Sequence, residues 1–149
     1  SDLFKITVGN EKKEETLSSD NSQIEKVEFM INSFEAERAG DWETFSKLNA
    51  ENGLKYYNEN ADKLNGIAWS MFEHTENPAH LNSALAMAER ATKLSDSHAI
   101  MDTYANLLLA TGNPQKAFEV ESKALEMAKK EGSDTKSYEE VIGKINQAL

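Results

Sequence analysis

The stretch from Ser97 to Ala128 constrains the chain most: it reads as two amphipathic helical segments joined at Thr111-Gly112-Asn113-Pro114. In the first segment Met101, Tyr104, Ala105 and Leu108 recur at i, i+3, i+4 and i+7, the spacing of one buried helical stripe. In the second, Ala117, Phe118, Ala124, Leu125 and Ala128 do the same. Gly112 suits a left-handed helix end, Asn113 can cap the next helix, and Pro114 fits its first position. The pattern predicts an antiparallel helix pair closed by a tight turn.

The same grammar runs through the rest of the chain. A middle unit spans Ala61 to about Ser95, with Leu64, Ile67, Ala68, Met71 and Phe72 on one stripe and Leu81, Ala84, Leu85, Ala88 and Ala91 on the next. Asn77-Pro78 repeats the logic of Asn113-Pro114, so both prolines of the chain stand where a helix begins. Ala84 and Ala117 lie 33 residues apart, as do Ala91 and Ala124, whereas Ala68 and Ala105 lie 37 apart; this predicts a longer turn in the first of these two pairs. An earlier unit is expected over 22–58. Its first helix starts at the capping box Ser22-Gln23-Ile24-Glu25, and Ile24, Val27, Ile31 and Phe34 form its buried stripe with Met30 beside it. Its second carries Trp42, Phe45, Leu48 and Tyr56, with a bend or early stop expected at Asn52-Gly53. A last helix over about 134–148 places Tyr138, Val141, Ile142, Ile145 and Leu149 on one face, as a terminal cap would. Residues 1–21 read as an arm or linker, with a short extended piece at Leu3, Ile6 and Val8. The expectation is all-α, seven helices in three hairpins (about 22–58, 61–95 and 97–131) plus a cap.

Ala105, Gly112-Asn113, Ala117 and Ala124 stand at the spacing of the tetratricopeptide (TPR) repeat, and the chain resembles that family of 34-residue helix-turn-helix units. Glu121 departs from the pattern, standing where the family usually has an aromatic, and Lys129 stands where a Pro often ends the repeat. The resemblance implies a TPR-like solenoid whose first helices line a concave groove for a peptide or partner protein. Carried over by the Gly112/Ala117 alignment, the groove positions are Asn65, Trp69 and Phe72 in the middle unit and Asp102, Asn106 and Leu109 in the last. In the first unit they are Met30, Phe34 and Glu37. Trp69 lies off the core stripe and offers an indole anchor; Asn106 falls where family members use an Asn to hold a ligand backbone. Asn65 and Asp102 replace the lysines of the carboxylate-clamp members, which argues against recognition of a free C-terminal carboxylate.

NGIAWSMFE together with MDTYANLLLATGNPQKAFEVESKALEMAKKEG also resembles helical tails found behind thioredoxin-like domains of bacterial envelope proteins. That likeness implies an accessory module of a longer extracytoplasmic protein. The chain begins at Ser1 rather than Met, so the lack of a visible leader fixes no compartment.

Composition narrows the function classes. Sixteen Lys and Arg against 26 Asp and Glu give a formal charge of −10, which repels phosphate backbones and anionic membranes and disfavours nucleic acid as a partner. No apolar run approaches the roughly 20 residues of a membrane span. There is no Cys, hence no disulfide or thiolate metal site. His74, His80 and His98 are too scattered for a sequence-local zinc site and read as surface or capping residues. No HExxH, phosphate-cradling Gly loop or GxSxG elbow is present. The adjacent pairs Glu14-Glu15 and Glu139-Glu140 read as solvated faces, because neighbouring helical side chains do not face each other. A non-catalytic module with no cofactor or metal is expected, binding a basic or neutral protein segment. The alternative is a structural or self-assembly module whose groove is filled by residues 1–21 or by a second copy.

Overall fold

The computed structural model describes the backbone of residues 2–149 and the side chains of 20–149. Seven helices follow one another without a strand among the described residues: α1 Asp2–Ala39, α2 Trp42–Tyr57, α3 Ala61–His74, α4 Pro78–Leu94, α5 His98–Ala110, α6 Pro114–Lys130 and α7 Lys136–Ala148. Among the described residues each packs only against helices one or two places away in the chain. The second helices begin at Trp42, Pro78 and Pro114, an interval of 36 residues both times.

Local chemistry explains the boundaries. α1, α5 and α6 each end in a glycine at positive φ: Gly40, Gly112 and Gly132. At each, the amide one residue beyond reaches back five residues to a helix carbonyl: Asp41 N to Ala36 O at 2.8 Å, Asn113 N to Leu108 O at 2.8 Å, and Ser133 N to Ala128 O at 2.9 Å. A Cβ in that backbone conformation is strained, which is why Gly holds these places. Side-chain caps start α2 to α5: Asp41 accepts from Thr44 N, Asn60 from Lys63 N, Asn77 from Ala79 N, and Ser97 from Ile100 N. Asn113 occupies the cap position but its side chain makes no cap bond; its amide instead donates to Thr111 O and Oγ1.

The core is a run of clusters. The first joins Ala36, Phe45, Leu64, Met71, Met87, Ile100 and Leu107 across α1 to α5, and the second joins Leu108, Val120, Val141 and Ile145 across α5 to α7. Ala68, Ala84, Ala88, Ala91, Ala105, Ala117, Ala124 and Ala128 are all fully buried, which lets helix backbones approach closely. Arg90 fastens α4 to the α2–α3 connection, donating to Asn58 O at 2.9 Å and to Glu59 Oε1 at 3.0 Å.

Several expectations are corrected. α1 is helical from Asp2, so Ser22 lies inside it and caps nothing, and the extended piece at Leu3, Ile6 and Val8 is replaced by helix; Glu and Lys of the 11–15 run are good helix formers. The role given to 1–21 as an arm rests on side chains that lie, up to residue 19, outside the described residues. α2 does not stop at Gly53 but runs on to Tyr57. Gly53 is buried against α4, where an added Cβ would stand 2.4 Å from Met87 Sδ, so the glycine buys close packing rather than a break. The turns 75–77 and 111–113 have equal length, so neither pair has the longer one. The 33-residue alanine interval instead falls three short of the 36-residue element interval, nearly one helical turn, which keeps the alanines on the buried face. Phe118 and Leu149 are exposed rather than packed.

The largest correction concerns α1. Ile24, Val27, Ile31 and Phe34 are not buried: they are 54, 51, 54 and 62% exposed. The face that meets α2 is the opposite one. Phe29 stacks on Tyr56 at 5.4 Å between ring centroids and tilts against Tyr57 at 6.0 Å, Ala36 joins the core, and Ser33 Oγ accepts from Asn49 Nδ2 at 2.9 Å.

Candidate functional site

The expected groove residues lie on α3 and α5, which touch one another. Asn65, Trp69 and Phe72 are half-buried on α3, with the Trp69 and Phe72 rings 5.2 Å apart and tilted by 34°. Phe72 spends part of its surface on the first core cluster, and the Asn65 Oδ1 is buried without a hydrogen-bond partner. On α5, Leu109 packs against the second cluster and Asp102 is half-buried. Asn106 is buried, and its amide donates to Asp102 O at 2.9 Å and Asp102 Oδ1 at 3.3 Å, so those protons are taken within the helix. Trp69, unlike Phe72 and Leu109, is not packed against either of these core clusters.

The counterparts on α1 are more open. Met30 is 44% exposed, Phe34 is the most exposed large apolar side chain of the described residues, and Glu37 is exposed. Among the described residues α1 and α3 do not touch. Between them, over Phe45 and Tyr57 of α2, lies an open cavity of about 710 Å³. Met30, Ile31, Phe34, Glu35 and Glu37 line one wall; Asp62, Lys63, Gly66, Ile67 and Ser70 line the other. Its chemistry is an apolar floor with an acidic rim: Glu35, Glu37 and Asp62 face one Lys63, whose Nζ already lies 5.4 Å over the Tyr57 ring. Such a place can bury apolar side chains and hold cations at its edge. It presents no paired acid and base.

Sequence reasoning missed a second polar cluster where α5, α6 and α7 meet. Glu121 is fully buried, and its carboxyl shares a proton with the Asp102 carboxyl. Burial first, and then the neighbouring Asp102 carboxyl, push its pKa up to about 10, so Glu121 is a neutral acid at pH 7. Tyr138 is buried beside them. Burial, then the charges of Asp102, Glu121 and Glu131, raise its phenol above the ordinary range. The phenol pairs with His98 Nδ1, and His98 Nε2 stands 2.9 Å from Glu131 Oε2. His98 is therefore a brace between helices rather than a surface residue. A carboxyl sealed from solvent has no path to a substrate, and the cluster ties α5, α6 and α7 together. The signal in the sequence was Glu121 itself, a charge on a stripe whose neighbours Ala117, Ala124 and Ala128 are buried. His74 lies flat against Trp42, ring centroids 3.7 Å apart, joining the start of α2 to the end of α3.

Among the described residues no three His, Cys, Asp or Glu side chains gather as a metal site would require, and no helix is long and apolar enough to cross a membrane. Comparison with family models, curated proteins and solved structures returned no match to this chain.

Proposed function

We propose that this protein is a non-catalytic interaction module, a TPR-like stack of helix hairpins whose first helices α1, α3 and α5 present a groove to a peptide or partner protein. The observation that carries this reading is the open cavity between α1 and α3, floored by apolar residues and continuous with solvent. Contacts limited to near neighbours in the chain support the stacking. The 36-residue interval exceeds the family's 34, so the likeness is one of plan rather than of motif. Trp69 on the same helix as the Gly66 wall supplies a second anchor.

The test is selection of peptides against the immobilised protein. Binding of the selected peptides is expected to vanish in Phe34→Asp, to fall in Gly66→Arg, whose side chain would fill the gap, and to weaken in Trp69→Ala, with melting curves little changed. Peptides indifferent to all three substitutions, or a surface that selects none, would contradict the reading. Filling of the groove by a second copy is the competing function, and sedimentation of the free protein separates it.

A further inference from the structure

The exposed apolar residues of α1 have an order that says more about the occupant. Ile24, Val27, Ile31 and Phe34 are spaced 3, 4, 3, the a and d rhythm of a helix-on-helix seam. At roughly 100° per residue the seam points nearly opposite to Phe29 and Ala36, so α2 cannot cover it. Five of the eight large apolar side chains exposed among the described residues belong to this helix: those four and Met30. The seam is therefore an exposed apolar strip beside the α1–α3 cavity, with the residue rhythm that helix-on-helix packing uses.

Charge selects which helix. In the same register Glu28 and Glu35 flank one side of the seam, and Gln23, Met30 and Glu37 flank the other. Glu28, Glu35 and Glu37 are exposed and form no ion pair among the described residues. Asp62 adds a fourth carboxylate across the cavity, while Arg38 stands at the C-terminal end of the seam. A second copy of this helix would bring glutamates toward glutamates, or toward Met30 and Gln23, with no complement in either direction. We propose that the α1 seam, with the cavity it borders, takes an amphipathic helix of another protein whose apolar edge is flanked by Lys or Arg. This rests on the interaction-module reading and names the partner's chemistry. Opposite charges along the flanks would set its register and speed its approach, and would exclude acidic helices.

Three designed helical peptides of one apolar edge test this, differing only in flanks of Lys, Gln or Glu. Their binding to the whole protein is followed by fluorescence anisotropy at two salt concentrations. The Lys-flanked peptide is expected to bind at least about tenfold more tightly than the Gln-flanked one and to weaken with salt, with the Glu-flanked one weaker still. Ile31→Asp should abolish binding, and Glu28→Lys with Glu35→Lys should reverse the order; both sites are exposed, and circular dichroism checks that the helices remain. Equal binding of all three peptides, lost in Ile31→Asp, would overturn the cationic partner and leave the interaction module standing. A dimer in sedimentation equilibrium that Ile31→Asp dissolves would assign the seam to a second copy. Neither binding nor dimerisation would overturn both readings.

Discussion

Glu121 shows how one side chain sets a pH response. Its folded pKa of about 10 lies above its ordinary 4.5, so the folded state keeps a proton that the unfolded chain gives up. The contribution is fully present below about pH 4.5 and is lost as pH rises through 10. Glu121→Gln keeps the shape and removes the titration. It is expected to raise stability at pH 7 by about 1–3 kcal/mol, the scale of a desolvated polar group, and to flatten the fall in melting temperature between pH 5 and 9. Calorimetry across that range checks it; an unchanged slope would mean that Glu121 is hydrated in solution. Residue type predicted much of the rest: Asp41, Asn77 and the glycine turns sit where their chemistry places them. Glu121 stood out on its stripe, but its role was not legible there because its burial depends on α5 and α7 closing over it.

At the scale of the helix, glycines with different surroundings should respond in opposite ways. Gly112 sits at φ 85° and Gly143 inside α7, and an added Cβ meets nothing at either. Gly112→Ala is expected to cost about 1 kcal/mol through backbone strain alone, and Gly143→Ala to add up to about 1 kcal/mol of stability. Chemical denaturation distinguishes them. Gly53→Ala gains the same helix propensity yet should destabilise by about 1–3 kcal/mol, because Met87 must give way. A double-mutant cycle with Met87→Ala is expected to show strong coupling, and additive effects would place the two residues apart. Helices α2 to α7 were readable from their apolar stripes and from the turn residues between them, with side-chain caps at the starts of α2 to α5. α1 misled because it has two apolar faces: Phe29 and Ala36 on one, Ile24, Val27, Ile31 and Phe34 on the other. A helix so built has more apolar surface than one neighbour can cover, and periodicity alone does not say which face the neighbour takes. Aromatic stacking on Tyr56 and the Ser33–Asn49 bond decided it.

Across the whole molecule, near-neighbour contacts make the two ends unequal. α7 covers the second cluster with Val141 and Ile145 and packs Tyr138 with Ala124 and Ala128 of α6, so removal of residues 136–149 should cost about 5 kcal/mol and expose dye-binding apolar surface. The α1 end has no such cover over its seam. That asymmetry is the reason to look for a partner there and not at α7, and it followed from the packing of α1 rather than from any motif. The most direct measurement is amide shift mapping by NMR during titration with the Lys-flanked helix. Saturable shifts concentrated in residues 24–37 of α1 and 62–70 of α3 are expected; shifts confined to α6 and α7, or none at saturating peptide, would contradict the assignment of the docking face.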